Sequence, residues 1–294
     1  MPIRPRRSVL YMPGSNARAL KKAQSIPADA LILDLEDAVA PQAKEMARGQ
    51  VCDAVRAGGY GRRELIIRIN ALGTPWGESD LAAAAQAAPD AILLPKVGSG
   101  ADIVTATERL ERAGAAVKTR LWAMIETPLA ILNLKDIAAT SQRAGARLDC
   151  LVLGTNDLGK ETRADLGAKP LPSLYWLSAT ITAARAYGLD VLDGVYNDIR
   201  DADGFRRECL AGRALGFDGK TLIHPDQVAD ANDVFAPAAA EVIFARKIIA
   251  AFAEPQNQGK GVIVVEDRMV ELLHASMAHR TVAIAEAIAA MGAT

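Results

Sequence analysis

Cysteine, aromatic side chains and net charge are all scarce in this chain. Its 294 residues include 3 cysteines and 4% aromatics, and the formal charge is -1. Cys52, Cys150 and Cys209 stand far apart, are odd in number and lack metal-type pairing, which points to reduced, core-buried thiols in a cytoplasmic protein. Near-neutral charge without interleaved aromatic and basic residues argues against nucleic acid as a partner. No apolar run is long enough to span a bilayer, so no membrane partner is expected. The basic residues 1–7 are followed by too short an apolar segment for a signal-peptide core. Neither a Walker loop nor a serine nucleophile elbow occurs, and Gly58, Gly59 and Gly61 do not follow a strand as a dinucleotide fingerprint must. His224, His274 and His279 have no ligand spacing with one another, which argues against zinc.

Apolar sequence, by contrast, makes up 50% of the chain, enough for a full core. It recurs as short runs at residues 7–12, 30–35, 65–70, 91–95, 121–125, 150–154, 189–194 and 219–223, with helical segments between most of them. Ser15 or Asn16 can cap the first helix, and a second runs from about residue 42 to 56. Continuous apolar strands alternating with amphipathic helices predict a parallel sheet covered by helices. Eight such units predict an α/β fold, a closed (β/α)8 TIM barrel over residues 1–253. Residues 254–294 remain: a polar linker at 256–261, a strand-like run at 262–265 and a helix from about 268 to 290. This C-terminal helical arm has a broad apolar face and is expected to pack on a neighbouring subunit.

Several of these runs end in charge. Glu126 closes one, with Thr127 as N-cap and Pro128 at the first helical position; Asp157 follows another. If those strands are neighbours, the two carboxylates converge, and oxygen ligands of that kind suit Mg²⁺. Arg68, inside an apolar run, either pairs with Glu36 or Asp37 or recognises an anion, since a guanidinium matches a carboxylate with two prongs. Asp34, Glu36 and Asp37 either line the mouth or cap the following helix, and Lys96 either joins them or braces Asp34. All lie at C-terminal strand ends, where barrels of this kind build their active sites.

The stretches Arg7-Ser8-Val9-Leu10-Tyr11-Met12-Pro13-Gly14, Leu33-Asp34-Leu35-Glu36-Asp37, Ile67-Arg68-Ile69-Asn70-Ala71, Leu94-Pro95-Lys96, Ile125-Glu126-Thr127-Pro128, Gly154-Thr155-Asn156-Asp157-Leu158 and Lys220-Thr221-Leu222-Ile223-His224-Pro225 occur in one order across the barrel. Together they resemble the citrate lyase β-subunit-like family of CoA-ester lyases, grouped with the HpcH/HpaI aldolases. The resemblance implies a Mg²⁺-dependent carbon-carbon lyase that cleaves a 3-hydroxyacyl-CoA, such as malyl-CoA or citramalyl-CoA, to acetyl-CoA and a 2-oxo acid by a reversible Claisen reaction. It implies Glu126 and Asp157 as metal ligands, and Arg68 as the group that binds the carboxylate and steadies the enolate. Glu36 and Asp37 match the acidic pair that orients water beside the ion, and Lys96 belongs to the same polar shell. Ser15, Arg18, Lys21 and His224 match regions near CoA. A homotrimer or homohexamer is implied, with the arm reaching a neighbour's site.

One departure concerns catalysis. In the family the arm carries a proton-transferring aspartate after an Asp-Gly-(Lys/Arg)-Met-(Ile/Val) run. Here the run is Glu266-Asp267-Arg268-Met269-Val270-Glu271, with the glycine replaced by arginine or lost by a one-residue shift and Glu271 in the aspartate's place. The extra methylene moves the carboxyl by about an ångström, enough to affect rate. Two other readings stay open: a metal-dependent 4-hydroxy-2-oxo acid aldolase acting without CoA, and a non-catalytic CoA-ester-binding subunit.

Overall fold

The computed structural model describes residues 3–166 and 172–292. Eight parallel strands close on one another in chain order: β1 (Ser8–Pro13), β2 (Ala30–Asp34), β3 (Glu64–Arg68), β4 (Ala91–Leu94), β5 (Arg120–Ile125), β6 (Leu148–Leu153), β7 (Asp190–Asp193) and β8 (Gly219–Leu222). The side chains alternate as the pleat requires. Val9, Ile32, Ile66, Leu93, Trp122, Val152 and Leu192 pack together inside the barrel. Leu10, Leu31, Leu33, Ile67, Ile92, Leu121 and Leu151 pack in the layer shared with the helices. Both faces are therefore largely dry, which is why most strands read as apolar runs; β7 and β8 are the exceptions, where buried Lys220 pairs with Asp193 at 2.7 Å. The three cysteines are buried free thiols. Among the described residues no helix is long and apolar enough to cross a membrane.

Charge closes the barrel's N-terminal end. The Arg6 guanidinium donates from Nε and Nη2 to both oxygens of Glu64 at 2.8 Å, from Nη2 to Asp149 at 2.6 Å and from Nη1 to Asp190 at 2.9 Å. Its face lies 4.8 Å from the Trp122 ring. Glu64, Asp149 and Asp190 sit at the starts of β3, β6 and β7, so one side chain ties three strands together. Arg6→Met leaves those carboxylates without their shared cation and is expected to cost roughly 3–5 kcal/mol, because breaking a buried ion pair strands the remaining charge. Urea unfolding checks this; an unchanged midpoint would show that the network contributes nothing.

By contacts, the chain from Ala236 onward clusters with the residues before Arg6 in one compact unit and Arg6–Phe235 forms another. The helix Ala239–Ala253, which the sequence pattern assigned to the barrel, packs on the final helix Leu272–Gly292 through Ala245, Ile248, Ala278 and Val282. Between them β9 (Val262–Val265) and β10 (Arg268–Glu271) form an antiparallel hairpin, so residues 268–271 are strand and not helix. The two turn residues, Glu266 and Asp267, have φ of 48° and 61°. A two-residue hairpin turn with both central residues left-handed favours glycine, most of all at the second position. Asp267 therefore stands where a glycine would, and Arg268 opens the strand.

Candidate active site

Asp34, Arg68 and Glu126 sit where a strand gives way to a loop. Glu126 directly follows β5 and is 1% exposed. Thr127 accepts a hydrogen bond from the Ala130 N–H, and Pro128 begins the helix, so the chain turns sharply and leaves the Glu126 carboxylate inside. Asp157 is not at a strand end proper: it lies in the first turn of the helix Thr155–Thr162, beyond β6. Since β5 and β6 are paired, the two acids are brought together.

Lys96 connects them. Its Nζ lies 2.8 Å from Asp157 Oδ1 and 3.5 Å from Glu126 Oε2, and its backbone N–H donates to Glu126 Oε1 at 2.7 Å. Its φ of 54° is a left-handed conformation, uncommon for a residue with a side chain and characteristic of functional sites. Of the two expectations for Lys96, bracing Asp34 is the one not met: β4 neighbours β5, so the lysine meets the Glu126 group. Burial pushes the Glu126 carboxyl up to about 7, against the Lys96 N–H and ammonium, which favour its charge. Burial acts on Asp157 in the same sense, but hydrogen bonds with Lys96 and Glu126 outweigh it and hold Asp157 below the usual carboxylate range.

Arg68 ends β3. Its partner is Asp34 at the end of β2, joined by a two-pronged contact: Nε to Oδ1 at 2.6 Å and Nη2 to Oδ2 at 2.7 Å. Asp34 also accepts the N–H groups of Glu36 and Ala38, so it is a fully used anchor that fixes the guanidinium. The remaining Nη1 lies 2.7 Å from Glu36 Oε2 and 3.4 Å from Asp37 Oδ2. Both expected acids are present, but the pairing that orients Arg68 is to Asp34. Lys44, a residue sequence reasoning passed over, donates from its buried Nζ to the carbonyls of Leu35 at 2.8 Å and Glu36 at 2.7 Å and so fixes the acidic turn. The signal was present as a lysine on an apolar helix face.

Burial pushes the Glu36 carboxyl up to about 8; Arg68 opposes the shift and Asp37, Glu126 and Asp34 add to it. As pH rises from about 4.5 to about 8 the unfolded chain loses this proton while the folded chain keeps it, so stability declines across that window. Glu36→Gln removes the effect. Its urea midpoint is expected to match wild type near about pH 4 and exceed it by the equivalent of a few kcal/mol near about pH 9. A difference that stays constant over that range would contradict the assignment.

The outer candidates are less tightly held. Asn16, not Ser15, caps the helix Ala17–Ala23, accepting from the Ala19 N–H at 3.0 Å; Arg18 and Lys21 project from that helix into solvent. His224 Nδ1 accepts from the Asp226 N–H at 3.3 Å and the ring is half-buried. Glu271 closes β10, and its N–H donates to His274 Nδ1 at 2.9 Å.

The carboxylate pair has the character of a hard-cation site. Glu126 Oε2 is buried and receives no hydrogen bond. A Cβ at Gly154 would come within 2.4 Å of the Glu126 Cβ and 3.0 Å of Oε2, so that space is kept for the carboxylate. Among the described residues no cluster of three or more His, Cys, Asp or Glu side chains could hold a metal; Mg²⁺ commonly takes one or two carboxylates and completes its shell with water or substrate oxygens, so Glu126 and Asp157 are the residues that could hold it.

The chain is 47% identical over 290 residues, 99% of its length and 98% of the relative's, to a (3S)-malyl-CoA thioesterase of Cereibacter sphaeroides. It is 33% identical to the human mitochondrial citramalyl-CoA lyase, covering 97% of this chain and 86% of that one. Its fold matches a crystal structure of the protein CitE from Mycobacterium tuberculosis in complex with magnesium, acetoacetate and coenzyme A, with a TM-score of 0.72, 27% identity and coverage of 94% and 97%. The HpcH/HpaI aldolase/citrate lyase family model matches residues 7–225, a span that runs from the first barrel strand past the last and takes in Arg68, Glu126 and Asp157. Closed barrel, strand-end acids and anchored arginine thus come with a family-wide match in sequence, and the chain belongs to the HpcH/HpaI aldolase/citrate lyase family, as a citrate lyase β-like member.

Proposed function

We propose that this protein is a Mg²⁺-dependent enzyme acting on a 3-hydroxyacyl-CoA of the malyl-CoA class, and that it hydrolyses the thioester. The observation that carries this reading is the full-length similarity to (3S)-malyl-CoA thioesterases in a chain whose arm ends β10 in Glu271, where lyases of the family have aspartate. Glu126 and Asp157 hold the ion, which when bound supplies positive charge against the substrate's oxygens. Arg68, fixed by Asp34, binds the substrate carboxylate through Nη1, in exchange for the contact with Glu36 Oε2 at 2.7 Å. Glu36 and Asp37 orient water, and Arg18, Lys21 and His224 contact CoA. Glu271 accepts a proton from a water molecule whose oxygen attacks the thioester carbon. The C–S bond then breaks, the proton passes to sulfur, and free CoA leaves with the hydroxy diacid. The longer glutamate suits this step because its carboxyl need only reach water, whereas an acid that protonates carbon must stand at a fixed distance.

Carbon-carbon cleavage is the second reading, favoured by the likeness to a citramalyl-CoA lyase and by the cation of Arg68, which can offset an acetyl-CoA enolate. The two differ in products. With (3S)-malyl-CoA and Mg²⁺, thiol should appear without glyoxylate, and EDTA should stop it. Equal amounts of glyoxylate and acetyl-CoA would install the lyase reading; no turnover would overturn both. In the same proposal the chain forms a homotrimer or homohexamer, and the arm of each subunit carries Glu271 to the mouth of its neighbour.

A further inference from the structure

Three buried oxygens of the mouth accept or donate no hydrogen bond: Glu36 Oε2, Glu126 Oε2 and the Tyr11 hydroxyl. The two carboxylates face cations, Arg68 Nη1 at 2.7 Å and Lys96 Nζ at 3.5 Å respectively. The phenol has no such counterpart. Tyr11 lies in β1, in register with Ile32 of β2, and packs against the cluster that fills the barrel interior. Its ring carries the Arg68 guanidinium, whose carbon is 4.8 Å from the ring centroid. Stacking and packing need only the ring, so phenylalanine would serve them equally. The hydroxyl adds a buried polar group without a partner, which costs about 1–3 kcal/mol wherever it is not satisfied. A cost of that kind at a strand end beside an anchored arginine points to a partner that arrives with the ligand.

We infer that Tyr11 is a substrate-contacting residue whose hydroxyl donates a hydrogen bond to an anionic oxygen of the acyl group bound beside Arg68. Donation is the available direction. Burial holds the phenol proton in place, with Asp34, Glu126 and Glu36 acting in the same sense and Arg68 opposing. Asp34 cannot take that proton in a hydrogen bond, since Arg68 and two backbone N–H groups already occupy its oxygens. The inference uses the proposed substrate class but not the identity of the bond that breaks.

Tyr11→Phe tests it, because the variant keeps the ring and loses one oxygen. With Mg²⁺ present, kcat/KM for (3S)-malyl-CoA should fall at least about tenfold, while Tm stays level or rises because an unsatisfied hydroxyl is gone. Calorimetric titration with pyruvate, a small 2-oxo acid, should show affinity weakened at least about fivefold. Unchanged kcat/KM and unchanged pyruvate affinity overturn the inference, and so does a lowered Tm, which would mean that the hydroxyl is bonded within the protein. A wild type that binds pyruvate but leaves malyl-CoA intact overturns the proposed function alone, and the pyruvate comparison then decides Tyr11. A wild type that binds neither overturns both.

Discussion

Glutamine at position 126 should lower kcat/KM for malyl-CoA by at least roughly a thousandfold, and calorimetry should show Mg²⁺ binding lost with it. The substitution is nearly isosteric. Its amide oxygen can still accept the Lys96 N–H that Glu126 Oε1 accepts at 2.7 Å, so the loop after β4 should keep its shape. Only the charge disappears, and with it half of the carboxylate pair. The folded variant should also be at least as stable as wild type above about pH 7, since burial pushes the Glu126 carboxyl up to about 7 and the ionised form is the one that burial penalises. This separates the site from the scaffold. A variant that unfolds more easily and loses activity in proportion would assign Glu126 a structural role. A variant whose Mg²⁺ affinity and turnover stay within about tenfold of wild type would remove the ion from the Glu126–Asp157 pair altogether.

The barrel and its mouth are legible in the sequence because each strand is buried on both faces. An apolar run that stops at Glu126, Arg68 or Asp34 then marks both the strand and the end from which chemistry is done. Which strand-end charge meets which is harder to read, because it depends on closure and register. Arg68 pairs with Asp34 across β2 and β3, and Lys96 with Glu126 across β4 and β5. Reading each loop by its own composition left the partner of Lys96 open between the acids of the mouth and Asp34. The helix Gly77–Ala87 went unread because it is alanine-rich and starts at Trp76 with no side-chain cap. The hairpin of the arm was hidden by its turn: Glu266 and Asp267 adopt left-handed backbone without glycine, so Arg268–Glu271 resembled the first turn of the helix that follows. The helix Ala239–Ala253 is apolar in the manner of a barrel helix, and only its packing on Ala278 and Val282 shows that it belongs with the arm. The Tyr11 hydroxyl carries no sequence signature beyond its alternation with Val9.

Two inactive variants should restore activity when they share an assembly. Glu126→Gln disables the mouth, and Glu271→Gln disables the arm; each alone is expected to be nearly inert. If the chain forms the proposed homotrimer or homohexamer, co-expression with different affinity tags and purification through both should yield mixed oligomers. If the arm of one subunit completes the mouth of the next, some sites combine an intact mouth from a Glu271→Gln chain with an intact arm from a Glu126→Gln chain. In a trimer that contains both chains roughly one site in three is of that kind, and in a hexamer about one in four, so the mixed assembly should recover on the order of a quarter to a third of wild-type turnover. That is a rise of about two orders of magnitude over either variant by itself if each has lost roughly a thousandfold. If Glu271 serves the barrel of its own chain, every site contains one lesion and mixing restores nothing. If Glu271→Gln alone keeps full activity, the arm supplies no proton acceptor and the carboxylate must be sought among Glu36 and Asp37. The recovered product discriminates further: thiol alone identifies Glu271 as the group that activates water, and glyoxylate with acetyl-CoA identifies it as the group that protonates carbon. Because the mixture contains only the two chains already present singly in the parents, a gain in turnover on mixing cannot come from a better-folded chain.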